Sequence, residues 1–192
     1  MLEFIHHKVS VINGFLSKFN TIQTLYLDKS YLYETELQLF LKNLQYYFSE
    51  ISDSTKESEV LKYSGMLQTI KKGFDPIKLE KIATARRDFF WGMAFHINQE
   101  IQQLLVNMLA SEEQKLSEAD DLLSNTFLSL IQNQILSNQE LKKLNNTIAI
   151  ELFWTSIVKQ NTTIAVLDKK MKMKITAEDI YLLIEKIVVK IS

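Results

Sequence analysis

Arginine placement is the most chemically informative feature of this chain. Only two of its 22 basic side chains are arginines, and they are neighbours in the run Thr84-Ala85-Arg86-Arg87-Asp88-Phe89-Phe90-Trp91-Gly92-Met93-Ala94-Phe95-His96. A guanidinium is a planar fork of donors that suits a carboxylate, a phosphate or an aromatic face, whereas a lysine is a mobile point charge. Arg86, Arg87, Trp91 and His96 therefore make up the candidate ligand-binding set. Adjacent side chains on a helix diverge by about 100°, so the two forks are expected to serve separate purposes, with at most one directed into any single pocket. The competing reading is structural, an ion pair between an arginine and a glutamate of another helix or subunit.

His96 and Glu100 stand four apart and share a helical face, which is half of a two-ligand metal site. His6 and His7 diverge on a helix, so no more than one could join it, and no metal or other cofactor is expected. Gly92 in mid-helix predicts a close approach by another helix, or else a groove floor walled by Trp91. Tyr26, Tyr31, Tyr33, Tyr46 and Tyr47 crowd the first quarter of the chain, although it holds seven tyrosines altogether. Tyr46 and Tyr47 cannot both face one core, which makes Tyr31, Tyr33, Tyr46 and Tyr47 the candidate partner interface. The alternative is that their rings pack inside while the hydroxyls reach solvent. Lys169-Lys170-Met171-Lys172-Met173-Lys174 is a dense basic run without interleaved aromatics, and reads as a solvated connector. Gly-x-Ser-x-Gly, a Walker loop and Gly-x-Gly-x-x-Gly are all missing, so no catalytic residue is assigned.

The elements that must carry these residues are helices. Gly 4 and Pro 1 in 192 residues fall far below the usual shares of roughly 7% and 5%, and these two residues supply most of the tight turns that sheet folds need. An apolar content of 46% supports one sizeable core, and a net charge of −1 provides no field to gather nucleic acid or anionic lipid. The absence of cysteine fits a reducing compartment, and residues 1–8 lack both the basic and the apolar parts of a secretion signal, so a cytoplasmic, unprocessed protein is expected.

Apolar spacing predicts a first helix over 2–19 and a second over 31–52. A shorter third helix ends at Lys71-Lys72-Gly73. Asp75-Pro76 reads as an N-cap followed by proline at the first helical position. A central helix then runs to the Ser111-Glu112-Glu113 region, with a kink or break possible near Thr84. A further helix covers 122–135, and Ser137-Asn138-Gln139-Glu140 matches a capping box for another through Leu141, Leu144, Ile148, Leu152 and Val158. Residues 162–175 fit either a continued helix or, less favoured, a hairpin turning at Asp168-Lys169-Lys170. Thr176-Ala177-Glu178-Asp179 opens the last helix.

The expectation is a single all-α domain spanning 1–192, a bundle of six to seven helices. Its expected role is non-enzymatic, an adaptor or regulatory protein that binds a protein partner or self-associates as a homo-oligomer, without membrane or nucleic-acid partners. The runner-up is a small-molecule or anion-binding bundle with a pocket near Arg86, Arg87, Trp91 and His96. An enzyme using His96 with Glu100 ranks third.

Overall fold

The computed structural model describes residues 4–83 and 85–191. Among them it contains eight helices and no strand: α1 (Ile5–Leu27), α2 (Tyr33–Glu50), α3 (Ser54–Lys71), α4 (Arg86–Gln132), α5 (Asn138–Leu141), α6 (Thr147–Gln160), α7 (Thr162–Lys172) and α8 (Ala177–Ile191). None of these helices is long and apolar enough to cross a membrane. The chain divides into two compact units, one built from 1–11 together with 108–192 and the other from 12–107, and the division falls within α1 and within α4.

In the 12–107 unit, α2 and α3 form a helical hairpin joined by three residues. Tyr33, Leu37, Phe40, Leu41, Leu44 and Phe48 line the buried face of α2, and Val60, Tyr63, Leu67 and Ile70 that of α3, all at three-to-four spacing. Asp53 caps α3 by accepting from the Lys56 N–H at 3.1 Å. Phe19 and Ile22 of α1 and Ala94, Ile97, Ile101 and Leu105 of α4 complete this core. Tyr33 is fully buried, and its hydroxyl donates to the Asn98 side-chain oxygen at 2.9 Å. Burial raises the Tyr33 phenol well above the ordinary tyrosine range despite that bond.

The other unit packs the first turns of α1 and the C-terminal part of α4 with α5 to α8 around Leu123, Phe127, Ile150, Trp154, Ile180 and Ile184. Trp154 donates its indole N–H to Asp168 of α7 at 2.8 Å, and Lys172 pairs with the same carboxylate at 2.8 Å. Asp179 is the centre of this unit. Its carboxylate is wholly buried and accepts from the backbone N–H groups of Ile5 and His6, each at 3.0 Å, and from the His6 ring at 2.7 Å. It also takes the Thr176 N–H at 3.1 Å and the Thr176 hydroxyl at 2.8 Å, while its own N–H returns a bond to that hydroxyl. One side chain thus closes the capping box of α8 and caps α1 from 174 residues away.

Several elements differ from the sequence expectation. α1 continues through 20–27, where the apolar pattern weakens. α4 is one helix of 47 residues that passes straight through Ser111-Glu112-Glu113, a segment with neither glycine nor proline, in which Lys115 pairs with Glu112 at 2.8 Å. Pro76 does not open a helix. Asp75 accepts from the N–H groups of Ile77 and Lys78, but its own N–H donates to the Glu80 carbonyl and Phe74 bridges to Lys81, so the chain closes a turn and reverses. The Ser137 box forms, with the Glu140 carboxylate on the Ser137 N–H at 2.8 Å, yet the helix behind it lasts one turn and restarts at Thr147 under an Asn146 cap. Residues 162–172 are helical, not a hairpin: Asn161 caps the Thr163 and Ile164 N–H groups, and Ile164, Asp168 and Met171 are buried at helical spacing. Leu2 and Thr84 lie outside the described residues.

The Asp179 carboxylate carries a pH signature. Burial pushes its pKa up, but the bonds from the Ile5 backbone, the His6 ring and backbone, and Thr176 outweigh burial and hold it below the ordinary aspartate range. Because the folded-state value lies below the unfolded one, the stabilisation is complete above that range and is lost as the pH falls through it. Urea denaturation of Asp179→Ala is expected to show a loss of about 3 kcal/mol. In a pH series, the decline in stability below about pH 4 should be shallower for Asp179→Asn than for the natural protein.

Candidate functional site

The chain reversal that follows α3 brings the first turn of α4 beside the last turn of α3. α3 ends with Gly73 at φ 92°, whose N–H reaches the Ile70 carbonyl at 2.8 Å while the Phe74 N–H reaches Thr69 at 3.1 Å. This left-handed cap is a conformation glycine adopts at little cost. The Ile82 N–H then returns to the Gly73 carbonyl at 2.8 Å, which folds the segment back on itself.

Arg86 opens α4 and donates its Nε–H to the Ile70 carbonyl at 3.0 Å. A guanidinium on the last turn of α3 meets the negative end of that helix and satisfies a terminal carbonyl. Arg87 makes no hydrogen bond or ion pair among the described residues. Both arginines, with Glu34, Ile70, Lys71 and Phe90, line a cavity of about 370 Å³. Lys71 pairs with Glu34 at 3.0 Å across its rim.

The glutamate ion pair weighed from the sequence is therefore formed by neither arginine among the described residues, and the two forks line one cavity where the sequence allowed only one per pocket. Helical geometry explains this. Arg86 lies four residues before Phe90 and Arg87 three, so they flank the line of Phe90 at roughly 40° and 60° on opposite sides. A cavity centred over Phe90 is reached from both.

The structure does not bring Trp91 and His96 to that cavity. Trp91 stacks on Tyr33 with ring centroids 5.3 Å apart and lies 5.3 Å from the Tyr26 ring, and its carbonyl accepts from the Tyr26 hydroxyl at 3.2 Å. It belongs to an aromatic cluster with Phe90. His96 is exposed, 3.8 Å from Glu100, and no group of three or more metal-ligating side chains occurs among the described residues. A Cβ added to Gly92 would meet nothing within 4 Å, so no close helix approach accounts for that glycine.

The tyrosines separate as well. Tyr33 is core and is withdrawn from the candidate interface, Tyr47 is half-buried, and Tyr31 and Tyr46 are 89% and 65% exposed. The basic run ends α7, with Met171 buried, Lys172 paired to Asp168 and Lys174 to Glu118 at 2.6 Å.

Sequence reasoning missed Lys71 and Glu34, which reach the arginines only because the turn after Gly73 reverses the chain. It also missed the grouping of His6 with Asp179 and Lys186. The His6 Nε2 lies 3.2 Å from the Lys186 ammonium, which can only donate, an arrangement that suits the tautomer with its proton on Nδ1 toward Asp179. An oriented imidazole of this kind suits proton transfer, but its outer nitrogen is already occupied, and here it acts as a strut. No protein-family model, curated protein or solved structure matches the chain.

The arginines should separate in stability measurements. Arg86→Ala is expected to cost about 1–2 kcal/mol through the lost bond to the end of α3, and Arg87→Ala to stay within about 0.5 kcal/mol of the natural protein, both read from urea midpoints. Gly92→Ala should raise stability by about 1 kcal/mol, seen as a higher melting temperature.

Proposed function

We propose that the protein is a non-enzymatic interaction module that self-associates through the exposed face of α2, as a cytoplasmic homodimer. Its occupant is a second copy of the chain. The observation that carries this reading is the apolar series Leu32, Leu39 and Tyr46, spaced seven residues apart and 43%, 53% and 65% exposed. Seven residues bring a helix back to within about 20° of the same direction, so these side chains form a line along α2 and its leading turn. Beside it runs a groove of about 420 Å³ lined in part by Ile22 and Leu25 of α1 and by Leu32 and Leu39.

The arrangement suits a two-fold contact, which needs one patch to complement itself. A two-fold axis through Leu39 sets two antiparallel α2 helices together, with Leu39 against Leu39 and Leu32 level with Tyr46 of the second copy. It also sets Glu36 level with Lys42 of the second copy, opposite in sign. Tyr31, exposed just before α2, and Tyr46 remain from the tyrosine set read from the sequence, and large amphipathic rings suit such a seam. The absence of cysteine supports the cytoplasmic assignment.

Sedimentation velocity on the purified chain tests the reading. A dimer is expected at about micromolar concentration, and Leu39→Glu, which would place two carboxylates face to face across the axis, should yield a monomer with unchanged helical circular dichroism. A natural protein that stays monomeric, or a Leu39→Glu variant that still dimerises, would rule out this seam.

A further inference from the structure

We propose that the cavity at the junction of α3 and α4 binds a small organic phosphate, a phosphomonoester with an apolar or aromatic body. The proposal stands apart from the α2 seam, since it rests on a different set of residues within the same unit. Three cations line the cavity, Lys71, Arg86 and Arg87, against the carboxylate of Glu34. The C-terminal end of α3 adds roughly half a negative charge and the N-terminal end of α4 roughly half a positive one, so the lining carries a surplus of about 2 positive charges.

The disposition of those charges points to an anion with several oxygens. Arg86 is anchored through Nε to the Ile70 carbonyl, which fixes its plane and leaves its two terminal nitrogens for a ligand. Arg87 has no partner among the described residues, so a ligand need not break an existing ion pair to engage it. Lys71 is held by Glu34 at 3.0 Å. Two forks and an ammonium offer more donors than the two oxygens of a carboxylate can use, and a phosphoryl group presents three. The cavity of about 370 Å³ is larger than a bare phosphate requires, and the partly exposed Phe90 ring gives the remaining space an apolar wall. Both arginines of a lysine-rich chain line this one cavity.

Isothermal titration of the full chain with phenyl phosphate, inorganic phosphate and benzoate tests the assignment. Phenyl phosphate is expected to bind saturably and at least about tenfold more tightly than either of the others. Arg87→Gln should weaken that binding by about tenfold or more while leaving the melting temperature of the free protein unchanged, and Arg87→Lys, which keeps the charge but loses the fork, should fall between. No saturable binding up to about 10 mM, or Arg87→Gln binding as tightly as the natural protein, overturns the site. Benzoate binding as well as phenyl phosphate overturns the phosphate assignment, and inorganic phosphate doing so overturns the organic body.

Discussion

A buried carboxylate receiving five hydrogen bonds is the constraint on which the 1–11 and 108–192 unit depends. Asp179 can stay ionised without solvent only because three backbone N–H groups, an imidazole and a hydroxyl converge on it. Two of those N–H groups belong to the N-terminal end of α1 and one to the start of α8, so the same charge meets the positive ends of two helices. Neither helix could be capped there by a neutral side chain with equal effect. The core of Leu123, Phe127, Trp154 and Ile184 supplies apolar burial, but burial alone would not fix the direction from which α1 enters it. The carboxylate does so.

The all-helical class was legible because glycine and proline are so scarce, and because the apolar spacing of α2, α3 and α8 is regular. Helix ends were less legible. α1, α2 and α4 finish with Lys29, Ser52 and Gln134 in left-handed conformations, at φ 49°, 58° and 57°, each inside the paired backbone bonds that close a helix. A glycine there would have been a visible sign, and the glycines are instead mostly in helix interiors, at Gly14, Gly65 and Gly92. The box at Thr176 could be read from sequence, but the donors from Ile5 and His6 could not, because nothing local marks a cap supplied from so far along the chain. The proline misled for a related reason: its dipeptide suits a helix start and a turn equally, and the bridge between Phe74 and Lys81 decided in favour of the turn.

The arginine pair illustrates the same limit on the functional side. Residue type announced an anion-seeking group, but the expectation that two forks about 100° apart could not share a pocket did not hold. What could not be read was the position of the end of α3, which gives Arg86 a carbonyl to hold and places Lys71 and Glu34 opposite. Trp91 looked like a partner because it is near in sequence, yet the ring cluster of Tyr26 and Tyr33 claims it. Proximity along the chain predicted chemical company poorly, and the chain reversal after Gly73 decides it.

The long separation between Asp179 and the start of α1 also bears on how the chain is made. Residues 12–107 form an uninterrupted stretch, so every partner within that unit is present once residue 107 has been synthesised. The other unit needs its first eleven residues and its last eighty-five, and Ile5 and His6 wait for a carboxylate that is added 174 and 173 residues later. Until then the first turn of α1 has only water to cap it and little apolar surface to bury. A ribosome-bound chain stalled before residue 179 should therefore carry one unit able to close and one whose opening helix is still unanchored.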